Sequence, residues 1–154
     1  MIRTNNKTVK KIARLVHEEF LTMGASDKRV AALKKIERQF KKAYKVKVEV
    51  KYVDGKYNIT ASRGYHHRRG VVVVYVTNDL RANTKTLLHE LTHAYQYQFM
   101  NKKFMASTKA MAAGKVTYKN SWHETHARHT ADILIEGQIG KIAIEDSFNY
   151  AIVA

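Results

Sequence analysis

The chain has no cysteine and no proline among its 154 residues, and it has only one tryptophan and seven glycines. Without cysteine there is neither a disulfide framework nor a thiolate metal site, so any metal must be held by histidine and carboxylate. Without proline, the turns fall to Gly, Asn and Asp. Acidic residues are scarce: 13 Asp and Glu stand against 28 Lys and Arg, a formal net charge of +15. Long apolar runs are missing too. The strongest, Val71 to Val76, is far too short to cross a bilayer. The start, Met1 to Lys11, is polar and basic and shows no secretory signal. The expectation is a cytoplasmic protein with no membrane association. An apolar content of 45% over this length suits a single domain spanning 1–154 with a real core.

Hydrophobic periodicity predicts an α+β order of elements. Residues 7–22 read as an amphipathic helix, with Val9, Ile12, Val16 and Phe20 in one stripe and Lys7, Lys10, Lys11 and Arg14 facing away. Gly24 stops it, and Ser26 caps a second helix that runs to about Tyr44. Val30, Leu33, Ile36 or Glu37, Phe40 and Tyr44 fall at helical spacing along it. Val46, Val48, Val50 and Tyr52 then alternate with polar residues as a strand, and Asp54-Gly55 predicts a hairpin returning through 56–61. Ser62 to Gly70 reads as a polar, basic connection. The β-branched run Val71 to Val76 predicts a central strand of a small, about three-stranded sheet. Asn83-Thr84 supplies capping chemistry for a helix from about Thr84 to Met100, apolar on several sides. Residues 101–121 read as a loop at Lys102-Lys103, a short helix over 107–113, and a break at Gly114. A last helix runs from Ser121 or Trp122 through Glu136, stopped by Gly137. The tail 138–154 carries apolar residues for the core but no clear periodicity.

The chemistry concentrates in Leu87-Leu88-His89-Glu90-Leu91-Thr92-His93, an H-E-x-x-H sequence inside a helix-favouring run. Residues four apart lie on one helix face, one turn apart, so His89 and His93 can aim at one metal ion. Glu90 stands beside them as a general base. Two imidazoles, an open position and a carboxylate base are the parts of a zinc hydrolase.

A catalytic zinc usually takes three protein ligands. Glu124 is the leading candidate for the third, on a helix whose Ala127 and Ala131 permit close approach to the motif helix. His126 is the alternative, as a ligand or as a donor in the transition state. On a helix it points well away from Glu124, so the two exclude one another. His123 and His129 read as surface residues. Tyr118, Arg128 and His126 are positional candidates to stabilise an oxyanion, and Asp132 or Asp79 could orient a ligand imidazole.

His89-Glu-Leu-Thr-His93-Ala94, followed by Glu124-x-x-Ala127-Arg128-x-x-Ala131, resembles the small zincins of the ImmA/IrrE-like group, many of them encoded by phages and mobile elements. The resemblance covers residues 71–136. It implies a minimal zincin-like domain: two N-terminal helices, the small sheet, the H-E-x-x-H helix and a third-ligand helix. It also implies Zn²⁺ as cofactor and a peptidase acting on a partner protein, in a bacterial or phage-infected cell. Arg128 stands where that group prefers Asn. A weaker resemblance links the motif and preceding sheet to SprT-like (Spartan) metalloproteases, whose third ligand is a His in a context absent here. That resemblance and the charge imply a nucleic-acid-associated protease. Residues 1–53 hold 15 Lys and Arg against 5 Asp and Glu. The densest basic surface is Lys34, Lys35, Arg38, Lys41 and Lys42, a candidate nucleic-acid face. A non-catalytic, zinc-containing binding module is the remaining alternative.

Overall fold

The computed structural model describes residues 26–54, 63–67, 70–77 and 80–136, together with Lys7 and Ile12. Most of the helix expected over 7–22, the return strand 56–61, Asp79, Gly137 and the tail lie outside the described residues. Lys7 and Ile12 are both helical; Lys7 is exposed, and Ile12 is buried in the core.

Helix α1 spans Ser26–Tyr44. It buries Leu33, Ile36, Phe40 and Tyr44, the apolar residues at helical spacing. The Phe40 and Tyr44 rings meet edge-on at 4.7 Å, and Tyr44 reaches Tyr95 at 6.4 Å. The helix ends without a glycine: Lys45 takes the left-handed conformation itself, at φ 54°. Gln98 clamps this turn, donating to the Lys45 carbonyl at 3.2 Å and accepting from the Lys47 N–H at 2.9 Å.

Strands β1 (Glu49–Asp54), β2 (Arg63–His67) and β3 (Val71–Val76) form one sheet in the order β1-β3-β2. β1 runs parallel to β3, and β2 antiparallel to it. Val72, Val73, Val74 and Val76 are all buried, as suits a β-branched run with neighbours on both edges. Two strand expectations need correction. Val46 and Val48 are buried but precede β1 rather than belonging to it. The basic stretch before Gly70, read as a connection, contains β2. His67 pairs with Val71, the first residue of β3, and Gly70 just before it takes φ 82°, a left-handed conformation that glycine adopts without strain.

Helix α2 (Leu80–Phe99) carries the motif and begins a turn earlier than Thr84. Asn83 therefore lies inside the helix rather than capping it. Its buried amide holds the end of β3: Oδ1 accepts from the Thr77 N–H at 3.0 Å and from its hydroxyl at 3.1 Å, and Nδ2 donates to the Thr77 carbonyl at 3.0 Å. α2 packs against α1, β2, β3 and both following helices. Helix α3 (Asn101–Ala112) replaces the loop expected at Lys102-Lys103. Those lysines are exposed while Phe104 is buried, so the pair marks a solvated helix face. Helix α4 spans Trp122–Glu136 and buries Ala127, Ala131, Leu134 and Ile135.

Asn83→Ala would remove three hydrogen bonds from the buried polar groups of Thr77. We expect a loss of about 1–3 kcal/mol, read as a lower denaturation midpoint with an unchanged m-value. An unchanged midpoint would show that the strand-to-helix junction does not depend on this amide.

Candidate metal centre

One turn of α2 separates His89 from His93, and both rings leave the same helix face, with centroids 4.7 Å apart. Glu124, in the first turn of α4, comes up between them. Its Oε2 lies 2.9 Å from His89 Nε2, its Oε1 lies 3.2 Å from His93 Nε2, and the two imidazole nitrogens are 3.1 Å apart. Ala127 and Ala131 are fully buried, which brings α4 close to α2. Among the described residues, His89, His93 and Glu124 form a group that could hold a metal ion.

The donor set fits a tetrahedral zinc. With ligand bonds of about 2.0–2.2 Å, neighbouring ligand atoms stand about 3.3–3.6 Å apart. The two imidazole nitrogens, 3.1 Å apart, need only a slight spreading, and one Glu124 oxygen stands 2.9 Å from His89 while the other stands 3.2 Å from His93. The hydrogen bonds around His93 point the same way. Gln96 Nε2 donates to the His123 carbonyl at 3.0 Å and meets His126 Nδ1 at 2.7 Å. A carbonyl can only accept, so that end of the amide is the NH₂ group. The other end, Oε1, lies 2.8 Å from His93 Nδ1, which must therefore be the donor. With its proton on Nδ1, neutral His93 turns a bare Nε2 lone pair towards Glu124 and His89. This is the outer-sphere contact that fixes a ligand imidazole for metal.

The electrostatics favour a cation in the same place. Burial opposes a charge on His93, but the Glu124 and Glu90 carboxylates outweigh it and hold its pKa above the usual value. Burial would likewise raise the Glu124 pKa, yet His89 and His93 hold that carboxyl well below the ordinary range. Glu90 is itself buried beside the group.

The remaining sequence candidates are placed elsewhere. His126 is buried, stacked on Trp122 with centroids 5.4 Å apart, and turned to Gln96 rather than to the cluster. Arg128 is directed at the Lys119 carbonyl and the Thr125 hydroxyl. Asp132 pairs with Lys85 at 2.9 Å on the surface and does not orient a ligand. Tyr118 lies exposed near the site, where partial burial, followed by the Glu124 and Glu90 charges, pushes its pKa up to about 12.

Four residues escaped the sequence reading. Gln96 could have been found, because it follows His93 by three positions and shares its face. His123, expected on the surface, is buried with Nε2 3.6 Å from Glu124 Oε1. Burial, then the neighbouring His93, pulls its pKa down to about 4. Ser107 holds it, its Oγ accepting from the His123 backbone N–H at 3.2 Å and lying 2.7 Å from Nδ1. Ser107 and Phe104, which packs against His123 at 5.6 Å, both come from α3; Ser107 begins the short helix expected over 107–113, and Phe104 precedes it, in the first turn that the expected loop at Lys102-Lys103 left out. No family model, curated protein or solved structure matches this chain.

The purified protein should take up about one Zn²⁺ per chain, and Glu124→Ala should weaken that binding far more than His126→Ala. Titration calorimetry showing the reverse order would move the third ligand to histidine. A raised His93 pKa means that protonation competes with the metal, so affinity should fall as pH falls, with proton release on binding near neutrality. Gln96→Ala should cost about 10–100-fold in zinc affinity. Unchanged affinity would show that the His93 tautomer is set without this amide.

Proposed function

We propose that the chain is a zinc-dependent metallopeptidase, with His89, His93 and Glu124 holding the metal and Glu90 serving as general base. The observation that carries this reading is the convergence of two histidines and a carboxylate from different helices, with the buried Glu90 carboxylate beside them. The finer description of the fold belongs to the same proposal: a minimal zincin-like domain, nearest in its motifs to the ImmA/IrrE-like group. Zn²⁺, bound there, supplies Lewis acidity that polarises a scissile carbonyl and makes water a nucleophile at neutral pH.

The chain's own residues do the rest. Glu90 accepts the proton of the attacking water and delivers it to the leaving amine nitrogen. Tyr118, protonated at neutral pH and near the site, offers a hydroxyl to the developing oxyanion. His123, neutral at the same pH, lines the site beside Glu124. Gln96 and Ser107 orient imidazoles and touch no substrate. A structural zinc module is disfavoured, because such a site closes with four protein ligands and has no use for a buried base. A substrate protein or peptide is the expected partner, in the cytoplasm of a bacterial or phage-infected cell.

Glu90→Gln should retain zinc and abolish cleavage. Comparing the proteomes of cells that express wild type and Glu90→Gln should reveal fragments produced only by the former. Tyr118→Phe should keep the metal and lower kcat by about 10²–10³, the effect of removing one oxyanion donor. Identical proteomes with full zinc occupancy would return the chain to the class of binding modules. Loss of zinc from Glu90→Gln would make Glu90 a ligand rather than a base.

A further inference from the structure

The metal centre leaves one large feature unused, the exposed side of α1. Its large apolar side chains Leu33, Ile36, Phe40 and Tyr44 are buried, and Glu37, the acidic residue in the middle of the helix, is occupied. Glu37 accepts from Lys41 at 3.1 Å and from the Tyr52 hydroxyl at 2.8 Å. Lys41, a candidate for nucleic-acid contact in the sequence, is thereby engaged within the helix. Lys34, Lys35, Arg38 and Lys42 remain exposed, and Lys45 continues them beyond the last turn. The positions 34, 38, 42 and 45 recur once per helical turn. At 1.5 Å per residue the row is about 16 Å long. Its far end is fixed to the motif helix by the two Gln98 hydrogen bonds at Lys45 and Lys47. The end of the row is therefore tied to the helix that carries His89 and His93.

We propose that this face of α1 binds the phosphate backbone of double-stranded DNA. Charge complementarity selects the occupant. A protein partner would need an aromatic or aliphatic anchor, and a membrane would need an apolar helix face. The exposed large apolar residues among those described are Val53, Tyr75, Phe99, Val116 and Tyr118, none of them on α1. Double-stranded DNA needs no such anchor. It presents one charge per about 1.7 Å of axis, and binding releases condensed counterions. Flexible lysines carry no base-reading geometry, so the binding is independent of sequence. This inference stands apart from the peptidase reading, because no residue of the row belongs to the metal centre.

The test is fluorescence anisotropy with two labelled DNA duplexes of unrelated sequence, from about 50 to about 200 mM salt. Wild type should bind both equally and lose about 10²-fold in affinity across that range, as four phosphate contacts imply. The variant Lys34→Gln, Lys35→Gln, Arg38→Gln, Lys42→Gln should lose the binding and flatten the log–log salt slope by about 3–4. Glutamine preserves helix propensity, and circular dichroism with zinc content should confirm an intact fold. Lys102→Gln, Lys103→Gln, on the exposed face of α3, should bind as wild type. The proposal is overturned if wild type ignores both duplexes at low salt, or if the α1 variant keeps wild-type affinity and slope. Tighter binding of poly-glutamate than of DNA would likewise overturn it and assign the face to an acidic protein.

Discussion

The structure depends on the close meeting of α2 and α4, and one side chain, Gln96, governs how they meet. Its amide is fully buried and serves three partners: the His93 ring on its own helix, and the His123 carbonyl and His126 ring on the other. A buried amide with a group unpaired costs about 1–3 kcal/mol, so all three contacts hold together or the amide must move. The network orients His93 and sets the approach of α4, which brings Glu124 to the two histidines. A hydrogen-bond network with every member satisfied rigidifies a core in this way. The ligand geometry is therefore a consequence of helix packing and not a feature added to it.

The opposing pKa displacements of His93 and Glu124 follow from that packing. Held within hydrogen-bond distance in a buried place, an imidazole and a carboxylate are driven towards the charged pair. Each behaves as if a positive charge belonged between them. A metal ion is one way to supply that charge, and a proton on the imidazole is another. Competition between the two is built into the geometry.

Much of the site was legible in the sequence because it rests on helical periodicity. The spacing of His89 and His93 fixes a shared face whatever the rest of the fold does. Ala127 and Ala131 announced a close helix contact. The α1 stripe of Leu33, Ile36, Phe40 and Tyr44 could be read for the same reason, as could the buried run of β3. What failed was information held by partners rather than by pattern. β2 contains Arg63, His66 and His67, so its composition hid a strand defined by pairing with β3. Lys102-Lys103 suggested a loop because two adjacent lysines on a helix look the same as two in a turn. With only the second half of α3 expected, and nothing to say that it packs on α4, His123 had no visible partner in Ser107 and Phe104 and so looked like a surface residue. Asn83 was read as a cap because its side chain suits one, but its partner is the neighbouring strand end.

The walls of the metal centre differ in how firmly they are held. α2 is embedded, touching the sheet and, among the described helices, α1, α3 and α4. α3 buries a single side chain, Phe104, and one buried aromatic contributes only about 1.5–3 kcal/mol. That is below the usual free energy of global unfolding, so α3 is held less firmly than α2 and its amides should exchange before those of α2. His89 and His93 are set in the hard wall. The Ser107 hydroxyl that holds His123 comes from the soft one.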